Sequence, residues 1–376
     1  MEDDEGTIKI NAQSLEKMKK YFLKNNFVLM FSLLAFFSLF FGIFNILGIS
    51  LKVGFLVQIT NLFTPFLWIF LTISLVISGI LAYFEKYKLM FLPIIIWLLF
   101  TTAVIRTSNI SGLKNEATGD WVLGPDLDPF LYLRNAFEIS EGKNLGKIDM
   151  MRYAPLGAAS YIHSNLMPWA IFYIYKFISM FSNDISLTSA AVIAPVIFFV
   201  ISTIGLFFFL YTLFSFKFSK EKSLIIATIA SFFYVFIPSM LQRTIAGVPE
   251  LESLGMMWFW FAFLFFALAW KQDSKRRMII YGLLAGFFAG AMSWVWGGYR
   301  YIYMTLALAV FLCFIFNIEK RKNLIVFGSF LFSGVIIELA KTKSIIPILT
   351  GFSDVGFALS ILFIMLINFI LFEIFF

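Results

Sequence analysis

Two short stretches hold most of the residues that could do chemistry: GDWVLGPDLDPFLYLRNAFEISEG at 119–142 and QRTIAGVPELES at 242–253. Each carries two carboxylates at i and i+2, Asp126 with Asp128 and Glu250 with Glu252. On an irregular loop that spacing lets both side chains converge on one hard cation, whereas on a helix it turns them apart. Either pair taken singly reads equally as solvated surface, since charged residues are mostly exposed. Arg134, six residues after Asp128, suits a bidentate pairing with a carboxylate or phosphate, or a long anchor at a helix end. WVWGGYRYIY, 294–303, adds an aromatic-glycine turn in which Trp296 and Tyr299 either pack as an interfacial belt or stack on a ligand. Gly297 and Gly298 allow a close backbone turn there. His163, the single histidine, reads as a surface or packing residue with a ligand role left open.

The elements that must position these residues are membrane helices. The chain is 61% hydrophobic and 14% charged, with a mean hydropathy of +0.90. A soluble domain runs near half apolar and about a quarter charged, so there is too little polar surface here to cover a water-facing core. Disorder and nucleic-acid binding are excluded as the main business, and one histidine excludes a His-rich metal site. Cys313, alone in an apolar run, excludes an intramolecular disulfide framework. The acidic MEDDEG and a polar amphipathic stretch precede the first apolar run, so the N-terminus reads as a retained anchor and not a cleaved signal.

Apolar runs of spanning length lie at 27–49, 55–84, 89–107, 189–214, 223–240, 253–270, 278–295, 299–317, 323–340 and 356–376. They predict an all-α polytopic bundle of about ten spans, taking ~20 residues for a ~30 Å core. More than half of the Lys and Arg residues fall in alternate connections, around 17–24, 86–88, 217–222, 271–277 and 320–322. Under the positive-inside rule those connections are cytoplasmic. Residues 1–26 are then cytoplasmic, and segments 108–188 and 241–252 are external, in a multi-pass protein of the cell membrane. The alternation requires that 159–181 not cross; its Lys176, Pro168, His163 and Trp169 suit an amphipathic helix lying at the outer surface.

At these residues the chain resembles the catalytic subunit of oligosaccharyltransferase, a membrane glycosyltransferase of the GT-C class. LDPFLYLRNA (127–136) looks like its first external-loop motif, YAPLG (153–157) like its Tyr-Pro-Leu-Gly element, and IPSMLQRTIAGVPELES (237–253) like its second acidic motif. WGGY (296–299) matches a helix-end motif, and the order and spacing of all four agree. The resemblance implies transfer of a glycan from a lipid-linked phosphate or diphosphate carrier to Asn in an Asn-X-Ser/Thr sequon. It also implies a divalent cation, Mn2+ or Mg2+, with Asp128, Glu250 and Glu252 as metal-binding or amide-activating carboxylates and Arg243 as a polar neighbour. Such a cation prefers oxygen ligands and can stabilise a phosphate leaving group as a Lewis acid. Implied partners are the lipid-linked oligosaccharide, an acceptor polypeptide and membrane lipids. Residues 89–376 would form the GT-C-like region, with 27–88 as two additional helices.

The chain departs from the family pattern at four points. Glutamates stand at 250 and 252, where an aspartate commonly comes first. The family's later Ser/Thr-x-x-Glu element has no counterpart in 340–356; Glu338 is the nearest acidic residue. The motif that recognises the sequon hydroxyl belongs to a C-terminal soluble domain that is not present here, so a further segment or partner is expected to supply it. The two helices before residue 85 are extra. Competing readings are another GT-C transferase using a lipid-phosphate sugar, or an inactive paralogue acting as a membrane scaffold. A transporter fits less well, because the ionisable residues sit at helix ends and not mid-helix. Asn109-Ile110-Ser111 is itself a sequon, expected to lie too near the membrane to be modified.

Overall fold

The computed structural model describes residues 12–46, 63–143, 146–160, 165–182, 184–350 and 355–371. The chain divides into two compact units, 1–101 and 102–376.

In the first unit, α1 (Ala12–Ile46) packs on α2 (Pro65–Tyr83). Thr64 caps α2, its hydroxyl accepting from Leu67 N–H, and Pro65 follows at the position where a missing N–H costs nothing. Ser38 Oγ donates to Trp68 O at 3.1 Å, and Thr72 Oγ1 donates to Ser38 Oγ at 3.0 Å. Gly42 leaves room for Trp68: a β-carbon there would stand 3.0 Å from Trp68 Cβ. Helix α3 (Leu92–Arg106) begins in this unit, where Trp97 Nε1 donates to Leu67 O at 3.0 Å.

The second unit holds the acidic stretches. Helix α4 (Asp128–Ser140) leads to a two-stranded antiparallel hairpin, β1 (Ile148–Asp149) and β2 (Ala158–Ala159), with Ile148 opposite Ala159. YAPLG forms the hairpin tip, where Tyr153 and Leu156 are exposed. Helix α5 (Met167–Ser179) buries Met167, Pro168 and Ile171 and leaves Tyr173 and Phe177 exposed. Its 13 residues make about 20 Å of helix, short of a ~30 Å hydrocarbon core. Then come α6 (Leu187–Phe214), α7 (Lys220–Phe236), α8 (Leu251–Trp270), α9 (Lys275–Ser293), α10 (Tyr299–Ile315), α11 (Lys320–Thr342) and α12 (Val355–Phe369).

Helix α6 starts with a reciprocal cap, Ser186 Oγ accepting from Ser189 N–H and Ser189 Oγ from Ser186 N–H. Helices α9 and α11 approach along a glycine seam. Gly282, Gly286 and Gly290 lie four residues apart, and a β-carbon on Gly286 would fall 2.0 Å from Phe330 O. Small residues at such spacing permit the close backbone packing favoured in membranes, where burial of apolar surface gives little drive. The core beside this seam contains Ala285, Ala289, Tyr303, Phe327 and Phe330.

Each of the ten expected runs carries a helix, but five of the described helices are long and apolar enough to cross a membrane by length and composition: Lys24–Ile43, Pro65–Tyr83, Leu187–Phe214, Leu251–Trp270 and Lys320–Thr342. Helices α3, α10 and α12 are shorter apolar helices. The runs overstate helix length because apolar residues also make caps and turns. In 223–240, extended Ile237 ends α7 at Phe236, and Pro238 opens a separate turn. Residues 55–62 of the second run and 372–376 of the last lie outside the described residues.

Candidate functional site

The second acidic stretch is a tightly held turn running into α8. Gly247 has φ +83, a left-handed conformation that L side chains rarely adopt, and a β-carbon there would lie 2.6 Å from Leu113 Cδ1. Gly124 N–H donates to Gly247 O at 2.8 Å, which ties the first acidic loop to the second. From the other side, Gly247 N–H donates to Val192 O at 2.9 Å, Ala246 N–H to Arg106 O at 2.7 Å, and Asn109 Nδ2 to Ala246 O at 2.8 Å. The backbone of the turn is therefore pinned by three separate segments before it reaches Glu250.

Glu250 is the N-cap residue of α8, and Ser253 Oγ donates to its carbonyl at 2.6 Å. Its side chain comes together with Asp126 and Arg243. Arg243 Nη1 lies 3.3 Å from Glu250 Oε1 and 3.6 Å from Asp126 Oδ2. Glu250 is 3% exposed, and its Oε1 makes no hydrogen bond despite the ion-pair distance. Burial first, then the charges of Asp126 and Glu252 and a hydrogen bond with Asp126, push its carboxyl up to about 7, against the opposing pull of Arg243.

The other expected residues are placed differently. Asp128 is exposed in the first turn of α4, where a carboxylate complements the helix dipole, and the ion pairs of Arg243 run to Asp126 and Glu250. Asp126 thus joins the cluster more closely than the spacing alone suggested. Glu252 sits in the first turn of α8 and acts on Glu250 through its charge. Arg134 is ion-paired to Asp149 in β1 and lies 4.0 Å from Glu138, so it ties α4 to the hairpin. Trp296 packs against Gly255, and its ring lies over Gly298, where a β-carbon would come within 2.4 Å; Gly297 has open space. Tyr299 packs edge-on to Tyr303 at 6.1 Å, with Lys341 Nζ 5.7 Å from its ring centre. Glu338 is buried in α11. His163 lies outside the described residues.

Sequence reading passed over Arg106, which is fully buried at the end of α3 and bonded to the turn. An arginine closing an apolar run looks like an interfacial anchor, so nothing in its local pattern marks it.

The donor chemistry fits a hard divalent cation. Glu250 Oε1 is buried without a hydrogen bond beside a second carboxylate, and an added positive charge would relieve their repulsion. Among the described residues no group of three His, Cys, Asp or Glu side chains is gathered for a metal, so water or substrate oxygens would complete the shell.

Residues 117–376 match the family model described as oligosaccharyl transferase STT3, N-terminal. A dolichyl-phosphooligosaccharide-protein glycotransferase from Methanococcus voltae is 25% identical over 243 residues, covering 58% of this chain and 25% of that protein. The archaeal oligosaccharyltransferase AglB from Archaeoglobus fulgidus, in complex with an inhibitory peptide and a dolichol-phosphate, superposes with a TM-score of 0.55 at 21% identity, over 69% of this chain and 30% of that one. The Archaeoglobus fulgidus oligosaccharyltransferase in complex with Zn and sulfate gives a TM-score of 0.52 at 21% identity, over 65% of this chain and 31% of that one. This chain therefore shares their fold and spans about a quarter to a third of the length of these relatives. With its long apolar helices it is an integral membrane protein. By a match over the greater part of its length, the chain belongs to the oligosaccharyl transferase STT3 N-terminal family.

Proposed function

We propose that this chain forms the membrane-embedded catalytic part of an oligosaccharyltransferase, moving a glycan from a lipid-linked phosphate or diphosphate to Asn of an Asn-X-Ser/Thr sequon. One observation carries the reading: Glu250, buried at the start of α8, shares the Arg243 guanidinium with Asp126 from the other acidic loop. Glycan transfer forms a bond from the acceptor amide nitrogen to the anomeric carbon, breaks the bond from that carbon to the phosphate oxygen, and releases one amide proton.

Glu250, with Asp128 and Glu252 as the resemblance implies, would hold a Mn2+ or Mg2+ ion beside Asp126, the ion drawing in carboxylates that are not gathered as a group of three without it. When bound, the cation supplies Lewis-acid stabilisation of the departing phosphate. The chain's own part is to fix and neutralise. Arg243 holds the carboxylates of both loops in one place, and the carboxylates engage the acceptor amide and accept its proton. Trp296 and Tyr299 serve as the packed wall of the site, and Arg134 acts through the hairpin it holds.

The topology that goes with this reading has residues 1–26 in the cytoplasm, 27–88 as an added helix pair, and 89–376 as the GT-C-like region. Its loops 108–188 and 241–252 face outward in the cell membrane. A further stretch of polypeptide or a partner subunit completes acceptor recognition. The kinship with a dolichyl-phosphooligosaccharide-protein glycotransferase and with a dolichol-phosphate complex supports a polyprenyl-type carrier.

The test is transfer from a lipid-linked oligosaccharide pool to a fluorescent Asn-X-Thr peptide, with and without Mn2+, by this chain and by a form extended past residue 376. Metal-dependent transfer that Glu250→Ala abolishes is the expected result. A folded, extended protein that transfers nothing would overturn the reading in favour of a scaffold or another lipid-sugar reaction.

A further inference from the structure

Arg106 is wholly buried, and among the described residues no carboxylate pairs with it. A guanidinium taken out of water is costly unless its donors are met; here Nε and Nη1 are met and Nη2 is buried without a hydrogen bond, so the first two define what it holds. Its Nη1 donates to Val235 O at 2.9 Å, one of the terminal carbonyls of α7, where the helix dipole is negative. Its Nε donates to Thr244 Oγ1 at 3.2 Å, and Thr244 Oγ1 donates in turn to Met240 O at 2.5 Å. Its planar face lies 3.8 Å from the ring centre of Phe199 in α6, which stacks at 4.8 Å on Tyr234 of α7. The backbone carbonyl of Arg106 accepts from Ala246 N–H, and three residues on, Asn109 Nδ2 donates to Ala246 O.

One cation thus joins the end of α3, the body of α6, the C-terminal end of α7 and the acidic turn. Thr244 adjoins Arg243, and Arg243 is the residue that reaches both Asp126 and Glu250. We propose that Arg106 is a positioning residue for the acidic turn: by holding Thr244 and Ala246 it sets the place from which Arg243 gathers the two carboxylates. The kinetic part of this inference rests on the oligosaccharyltransferase reading, whereas its structural part does not. Lysine cannot replace arginine here. Its ammonium is a point charge on a flexible stem, without the fixed fork that meets Val235 O and Thr244 Oγ1 from two nitrogens, and it has no plane to lay on Phe199.

The experiment uses the full-length protein in detergent micelles as wild type, Arg106→Lys, Thr244→Val and Thr244→Ser. Amide hydrogen exchange is followed at Ala246 and Gly247, and kcat and KM for an Asn-X-Thr peptide are measured at saturating Mn2+. Arg106→Lys is expected to speed exchange at those two amides at least about tenfold and to lower kcat roughly 10- to 100-fold, with KM little changed, because small misplacements of reacting groups carry losses of that order. Thr244→Val should move both readouts in the same direction and Thr244→Ser should restore them, which separates the hydroxyl contact from general unfolding. Wild-type exchange in Arg106→Lys, or protection lost evenly across α6, α7 and α8, would overturn the inference, as would a loss confined to KM. If the wild type transfers nothing, the activity reading fails and the exchange data alone decide this one.

Discussion

Arg243 stands 3.3 Å from Glu250 but meets it unequally, because the guanidinium is half open to solvent while the Glu250 side chain is almost completely enclosed. Solvent screens the arginine's charge on its outer side, so its attraction does not offset the burial of the carboxylate. The second carboxylate, Asp126, draws on the same nitrogen from 3.6 Å. Burial of the Glu250 carboxyl, with the charges of Asp126 and Glu252 adding to it, therefore outweighs Arg243 and pushes it up to about 7.

The first prediction follows from the sign of that shift. The folded protein binds the Glu250 proton more tightly than the unfolded chain does, so this group favours folding at low pH. The contribution is full below the ordinary carboxylate range and is lost as pH rises through about 7. In chelator, thermal unfolding of the wild type should therefore move to lower temperature between pH 5 and about 8, and Glu250→Gln should flatten that part of the profile and gain at the alkaline end. A glutamine variant with the wild-type slope would assign the titration elsewhere.

Asp126 and Asp128 should separate. Asp126→Asn removes a charge that raises the proton affinity of Glu250, so the midpoint of that pH profile should shift to lower pH. Asp128→Asn changes an exposed helix-start carboxylate, with an effect on stability of about 0.3–1 kcal/mol. On the proposed assignment it nonetheless abolishes transfer. Melting curves and transfer rates on the same samples check both halves.

Much of this arrangement was legible in the chain, for reasons that can be named. Apolar runs locate helices because a bilayer forces backbone groups to pair internally, and each run does contain one. Their ends were blurred, since Ile237 and Pro238 belong to the same apolar stretch as α7 yet break it. The two acidic loops were found from carboxylate spacing and motif order. The choice of Asp126 over Asp128 as the partner of Arg243 was not legible, because it depends on how the bond between Gly124 and Gly247 joins two loops far apart in sequence. The same holds for Arg106, whose contacts lie 129 and 138 residues away.

Gly247→Ala should be costly. The residue sits at φ +83 and would press a methyl against Leu113, so strain and overlap add to a loss of about 1–3 kcal/mol. Gly297→Ala, at a position with open space, should melt within about 0.5 kcal/mol of wild type. Equal melting of the two variants would contradict the turn geometry.

The sequon at Asn109 supplies the last prediction. Modification would occur at Nδ2, and that atom donates to Ala246 O at 2.8 Å within the clamp that holds the acidic turn. A glycan there would replace one amide hydrogen of the bonded nitrogen and have to enter a part-buried site beside the 3-10 turn Ile110–Leu113. Intact-mass and peptide mass spectrometry of protein made in a glycosylating host should therefore find Asn109 bare, even with Ser111 in place. Asn109→Asp replaces the donating amide with an acceptor facing the Ala246 carbonyl. It should lower stability by about 1–3 kcal/mol, the cost of leaving a buried acceptor unmet. Asn109→Ser, which also destroys the acceptor asparagine, gives the control: if the sequon matters through its glycan, both variants behave as the unglycosylated protein does. If it matters through the clamp, both lose protection at Ala246 and Gly247 in any host.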